Sequence, residues 1–386
     1  MTEEETLYDV CHAWMTQRNI GFVNMMLPFY VSASCCHALN LENKRREFYF
    51  EHGQPADLRL HVFLAAPPGY MKTFILKRFL DRRNSIFGNT PIKTAFMGQA
   101  TEAGFVGTIS MIDGEPIQQP GMAYDFQDHI LGIDEFSALT NTMMAEHSKN
   151  LDNALLTALD SGYLIKRLAA GEIRYETHLT LFGGSQPARF NLSSGLGRRF
   201  LFIFFVPGTK QQREMRLFRR KGKGTKGDVN LDKAVFNLTS KIVEKIKIIN
   251  ELSYDDSIYN GLDELDVPHY EEPLYEKVAL GYNLATRKIE PEFKVVLTPK
   301  IRDMWSYEKV WRHKIKSGAQ DAQVIQFIEE TPGISEADLK VKMLDFGMSF
   351  AETAVAINSL SKQHRIGIIA DRRDKKLRKR FLWPIH

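Results

Sequence analysis

Hydrophobic and polar positions divide the chain into stretches of different texture. Residues 1–56 carry apolar residues at mixed, helix-compatible spacing. The segment LRLHVFLAA (58–66) first alternates and then runs apolar until Pro67-Pro68-Gly69 stops it, the pattern of a buried strand ending in a turn. KTFILKRFLDRR (72–83) follows with helical periodicity, with Thr73, Leu76, Phe79 and Leu80 as candidates for one face. Further strand candidates are IKTAFMG (92–98), HILGIDEF (129–136), THLTLFGG (177–184) and RFLFIFFVP (199–207). Four strands without polar alternation, separated by helical patterns, predict an α/β fold whose parallel sheet is covered by helices on both faces.

Beyond residue 208 the chain becomes polar and its charges segregate. RLFRRKGKGTKGD (216–228) is basic and Gly-rich and reads as a loop, an insertion more than a phosphate contact. YDDSIYNGLDELDVPHYEEP (254–273) is acidic and also reads as a loop, with helices expected at 229–252 and 299–316. After Ser317-Gly318, three short helical patterns precede a two-stranded hairpin, IGIIADRRDKKLRKRFLWPI. Ser335 with Asp338 marks a helix start. Three helices and a hairpin form the pattern of a winged helix.

Composition changes this picture little. The 386 residues are 44% hydrophobic and 25% charged, as in ordinary globular chains, and suffice for two to three domains. Net charge is +4, which conceals the segregation of basic and acidic stretches. The three cysteines, Cys11, Cys35 and Cys36, contain no CxxC, which excludes a disulfide framework and an all-cysteine zinc site and suits an intracellular, reducing compartment. The acidic N-terminus has no apolar core of a signal peptide, and no membrane segment is expected.

Chemistry enters at AAPPGYMKT, between a strand and a helix. A nucleotide phosphate is held by backbone N–H groups in a tight turn at a helix N-terminus, by a lysine, and by a hydroxyl that ligates Mg²⁺. Pro68, Gly69, Tyr70, Met71, Lys72 and Thr73 supply such a turn, although Ala66 and Met71 stand where the strict glycine pattern has Gly. Gly69 is where a positive φ is expected. The run ILGIDE ends in Asp134, a candidate Mg²⁺ ligand, and Glu135, a candidate for polarising the attacking water. A hairpin is expected over 163–176, decorated by Lys166, Arg167 and Arg174. Gln186 follows the next strand, where a polar side chain can orient water, and Arg198-Arg199 precede the last. An arginine on a subunit edge can complete a neighbour's site in trans.

In order and spacing, residues 57–207 resemble the AAA+ module of the MCM (minichromosome maintenance) replicative helicases. DLRLHVFLAAPPGYMKT resembles their Walker A motif, and residues 100–136 resemble their helix-2 insert followed by Walker B. LIKRLAAGEIRYETHLTLFGGSQP resembles the presensor hairpin and sensor 1, and GLGRRFLFIFF the arginine-finger segment. The resemblance implies ATP and Mg²⁺ as cofactors, with Lys72 and Thr73 on phosphate and metal. Asp134 becomes the metal ligand, Glu135 the catalytic base, Gln186 the sensor and Arg199 the finger. Lys166 or Arg167 would face DNA in a central pore. Arg287, Arg302 and Arg312 are weak candidates for a second sensor. The family's large N-terminal domain is not expected in the 56 residues before the core, and the Asp that usually follows the finger is replaced here by Phe200-Leu201.

The expected organisation is therefore an N-terminal helical segment (1–56), an AAA+ core (57–208), a lid with charged loops (209–317) and a winged helix (318–386). A basic wing tip, Arg372, Arg373, Lys375, Lys376, Arg378, Lys379 and Arg380, fits phosphate contacts that position without reading sequence. The expected function is an ATP-driven DNA translocase acting in replication, a homo-oligomeric ring (a hexamer) with DNA in its pore and replication-initiator partners. Two other readings stay open. One is a protein-remodelling ATPase of the MoxR or magnesium-chelatase kind. The other is a catalytically weak, nucleotide-binding DNA-binding initiator.

Overall fold

A computed structural model gives the architecture. It describes residues 5–18, 20–46, 57–67, 69–81, 85–98, 100–113, 115–134, 136, 149–168, 171–186, 195–221, 229–316, 319–344, 348–362, 364–370 and 380–384.

The five strand candidates become β1 (His61–Ala65), β2 (Thr94–Met97), β5 (Ile130–Ile133), β8 (Thr180–Ser185) and β9 (Phe200–Phe204). They form one parallel sheet in the order β2-β5-β8-β1-β9. Two antiparallel hairpins interrupt the succession: β3 (Gly107–Ile112) with β4 (Glu115–Pro120), and β6 (Tyr163–Leu168) with β7 (Gly171–Glu176).

The pleat sends alternate residues to opposite faces, and here both faces are apolar. Val62, Leu64, Ile130, Phe182, Leu201 and Ile203 join one core. Phe63, Leu131, Ile133, Leu181, Phe200 and Phe202 join the other. This two-sided burial is why the strands read as continuous apolar runs.

Helices Leu7–Gln17 and Leu27–Arg46 cover the first face. Tyr30 stacks on Phe79 of helix Lys72–Leu80 with ring centroids 4.0 Å apart, and His37 meets the Thr180 hydroxyl at 2.9 Å. All three cysteines are buried here as free thiols. The second face is covered by helix Lys149–Asp160 and short helices Glu102–Val106 and Met122–Asp125.

Beyond the sheet the structure corrects three expectations. Residues 216–221 are not loop but the end of helix Thr209–Lys221; residues 222–228 lie outside the described residues. Its Lys and Arg residues are good helix formers, and Met215 and Phe218, three apart, dock it, Phe218 against Phe74 at 5.2 Å. Residues 256–264 are likewise helical. Asp255 caps the Ser257 N–H at 3.0 Å, and Ile258 and Leu262 form an inward stripe that the acidic composition obscured. The helix expected over 229–252 is Val229–Ile246, followed by β10 (Glu251–Tyr254), which pairs in parallel with β11 (Glu292–Val295).

Residues 319–384 have their own core around Val324, Ile328, Leu339, Ile357, Leu360 and Leu382. Three helices, Ala319–Glu330, Glu336–Leu344 and Phe350–Lys362, pack on an antiparallel sheet of β12 (Ile334–Ser335), β14 (Arg380–Pro384) and β13 (Ile366–Ala370). The Ser335 hydroxyl accepts from Asp338 N–H at 3.1 Å, closing the helix start read in the sequence. Tyr70 and Val206 pack against this core, so the unit abuts the turn after β1.

Candidate functional site

The turn after β1 is closed by Tyr70 N–H donating to Pro67 O at 3.3 Å, with Gly69 at φ +80°. Met71 then takes φ +60° and caps helix Lys72–Leu80. A non-glycine residue in the left-handed region costs about 1–2 kcal/mol. Met71 thus adopts, with strain, a conformation a glycine would take freely. Left-handed residues at the mouth of a helix build the amide nests that hold anions.

Three of the sequence candidates meet at the C-terminal edge of the sheet. Lys72 Nζ lies 3.2 Å from Asp134 Oδ1 and donates to Asp134 O at 3.1 Å, and both side chains are buried. The Thr73 hydroxyl donates to Asp134 Oδ2. β8 lies between β1 and β5, so its end is the floor between lysine and acid. A Cβ at Gly184 would stand 2.7 Å from Leu76, 3.0 Å from Asp134 O and 3.3 Å from the Lys72 chain. The absence of a side chain there is what lets the lysine lie across the strand.

The donor set fits a nucleotide with a hard cation. Asp134 Oδ1 is buried beside the Lys72 ammonium at 3.2 Å but accepts no hydrogen bond, and its other oxygen accepts from the Thr73 hydroxyl. Two protein oxygens with phosphate and water completing the shell is the usual habit of Mg²⁺. Among the described residues there is no cluster of three or more His, Cys, Asp or Glu side chains for a dedicated metal site. Glu135 and Pro68 lie outside the described residues. Gln186 follows β8 directly and is half-buried, and its carbonyl accepts from the Ser185 hydroxyl at 3.2 Å.

Arg199 does not join this group. It precedes β9, whose Phe200 is level with His61 at the start of β1. The strands run parallel, so about five residues at roughly 3.3 Å each separate it from the turn after β1. Arg199 instead forms an ion pair with Asp160 at 2.7 Å, and exposed Arg198 lies over the Tyr270 ring. The second-sensor candidates are committed elsewhere. Arg287 bonds Asn283 and Lys294 O, Arg302 pairs with Glu264 at 2.7 Å, and Arg312 is buried among Glu308, Gly197 O and Phe200 O.

The two hairpins stand together. Gln118 donates to Glu172 O at 2.8 Å, and Tyr175 donates to Val106 O at 2.8 Å. On this pair Arg167 is largely exposed and pairs with Glu172 at 2.9 Å, while Lys166 neighbours it on β6. Met111, Ile117 and Ile165 are exposed large apolar side chains of the same pair. Of the wing-tip residues, Arg380 pairs with Glu336 at 3.0 Å, and Arg372 to Lys379 lie outside the described residues.

Sequence reasoning missed Asp160 and its surroundings. Arg59, buried, donates to Ala158 O at 2.8 Å and to Asp160 O at 2.9 Å, while its Nε binds Asp57 at 2.8 Å. It thereby caps the C-terminus of helix Lys149–Asp160, where cations are favoured. No spacing rule links residues 59, 160 and 199. The sequence showed the basic stretch but not that Arg213, Arg216, Arg219 and Arg220 are exposed on one helix, Thr209–Lys221, because the glycines after it suggested a loop.

The sequence matches no protein-family model and no curated protein. No helix among the described residues is long and apolar enough to cross a membrane.

Proposed function

We propose that this chain is a P-loop ATPase of the MCM-like AAA+ type that works on DNA as a ring. The observation that carries the reading is the convergence of Lys72, Thr73 and Asp134 at one sheet edge, with Arg199 at the other end of β9. Lys72 would neutralise the outer phosphates, and Thr73 with Asp134 would hold Mg²⁺, which supplies charge neutralisation at the β- and γ-phosphates. Glu135, next in sequence to Asp134, would act on the attacking water. Arg199 lies at the opposite end of the sheet from its own turn, which suits a finger completing the site of a neighbouring subunit. The paired hairpins, with Lys166 and Arg167, would contact DNA phosphates in the pore. The C-terminal unit has the helix and strand order of a winged helix and would present the 371–379 segment between β13 and β14 as its basic wing.

ATP turnover with and without DNA tests this. Turnover stimulated by DNA, lost by at least about 10²-fold in Lys72→Ala and in Glu135→Gln, is the expected result. Turnover unchanged in both variants sinks the catalytic assignment. Turnover without DNA affinity at low salt favours a protein-remodelling ATPase.

A further inference from the structure

The segment that carries Arg198 and Arg199 is gripped on both sides by one buried side chain. Arg312, 3% exposed on helix Pro299–Lys316, donates through Nη1 to Gly197 O and through Nη2 to Phe200 O at 2.6 Å. Those two carbonyls bracket the arginine pair. The guanidinium is itself fixed by Glu308, with Nη2 at 2.6 Å from Oε1 and Nε at 3.1 Å from Oε2. Glu308, fully buried, accepts from the Tyr275 hydroxyl at 2.6 Å and from the Phe202 N–H at 3.2 Å. Glu271 lies 3.9 Å from Arg312, and the adjacent Tyr270 ring lies under Arg198.

We infer that Arg312 is a positioning residue that sets the direction of the arginine finger, acting through the backbone on either side of it. This rests on the proposal that Arg199 completes a neighbour's ATP site. A planar guanidinium with five donors in a fixed fork can hold two carbonyls and a carboxylate at once, which a lysine cannot do in the same geometry. Burial makes the clamp rigid, because leaving any of these groups unbonded in a dry interior is costly. The network also joins the finger to helix Pro299–Lys316 and to helix Glu272–Thr286, so movement of either is transmitted to Arg199. Arg312, a weak second-sensor candidate in the sequence, thus acts on the finger and not on the phosphates.

The test is complementation between full-length variants. Arg312→Lys is expected to lower kcat about 10²-fold, the scale of a small misplacement of a catalytic group, with KM for ATP nearly unchanged. Lys72→Ala is inactive in its own site but keeps its finger. Mixed rings of the two should regain turnover, because the intact phosphate turn of Arg312→Lys then faces an intact Arg199. Arg199→Ala mixed with Lys72→Ala is the control. If the control recovers and the Arg312→Lys mixture does not, the clamp inference is wrong and the trans finger stands. If the control does not recover either, the trans reading itself falls. Should Arg312→Lys fail to fold by circular dichroism, Tyr275→Phe removes only the hydroxyl that steadies Glu308. It should lower kcat by a smaller factor without changing KM, and an unchanged kcat overturns the inference.

Discussion

His61 shows how one side chain is committed by its neighbours. Its Nε2 donates to Leu159 O at 3.0 Å and its Nδ1 accepts from the Leu181 N–H at 2.9 Å, which requires the neutral ring. Burial, then the charge of Arg59, push its pKa down to about 3. In the unfolded chain the ring titrates near its ordinary value of 6.5. The neutral ring's contribution to stability is therefore complete above about pH 6.5 and is lost as pH falls towards 3, at up to about 1.4 kcal/mol per pH unit. His61→Gln should flatten that slope, read as the change in urea midpoint between pH 7 and pH 5. An equal slope in both proteins would show that His61 is not the titrating group. Sequence marked this residue only as part of an apolar strand, since nothing local tells a buried, fully bonded histidine from an exposed one.

At the scale of elements, the outer edge of the sheet depends on one helix. β9 ends the sheet next to β1, and an open strand edge is a template for aggregation. Helix Pro299–Lys316 closes it with side chains. Glu308 accepts from the Phe202 N–H at 3.2 Å, and the Tyr307 hydroxyl accepts from the Phe204 N–H at 3.2 Å while donating to Phe204 O at 2.5 Å. Trp311 stacks on Phe204 at 4.3 Å. Tyr307→Phe removes both partners of Phe204 and should cost about 1–3 kcal/mol in chemical denaturation. A loss below about 0.5 kcal/mol, the range of neutral surface changes, would mean water replaces them. The five strands of the parallel sheet and the hairpin over 163–176 were legible in the sequence because apolar runs and turn residues are local signals. Helices 209–221 and 256–264 were not, because a short inward stripe such as Ile258 and Leu262 is outvoted by charged residues until its packing partners are known.

For the whole molecule, charge distribution governs the proposed partner. The net charge of +4 is small, yet basic residues gather on exposed elements: Arg167 on the hairpin pair and Arg213, Arg216, Arg219 and Arg220 on helix Thr209–Lys221. If the hairpins grip DNA phosphates, DNA affinity falls steeply with salt, and the double change Lys166→Glu with Arg167→Glu lowers the slope of log K against log salt by roughly two. Fluorescence anisotropy over a salt series reads this directly. A slope the same as wild type removes the hairpin from the DNA path. Tyr70 ties the turn after β1 to the core of residues 319–384, so nucleotide bound at that turn, as proposed, would be sensed by that unit. Tyr70→Ala should therefore change the KM for ATP while leaving the far-ultraviolet circular dichroism intact.

The sequence alone determined the five strands of the parallel sheet, the turn after β1 and the acid at the end of β5, because apolar periodicity and motif spacing are properties of short stretches. It also named Lys72, Thr73 and Asp134 before any distance between them was known. Only the tertiary structure decided that β8 lies between β1 and β5, that Gly184 leaves room for the lysine, and that Arg199 lies at the opposite end of the sheet from the turn after β1. It alone revealed that Arg312 and Asp160 hold the segment around Arg198 and Arg199, at 115 and 39 residues' remove from their partners Gly197 and Arg199. Such contacts depend on which buried carbonyls and carboxylates the fold brings within about 3 Å of each other, and no local pattern in the chain encodes them.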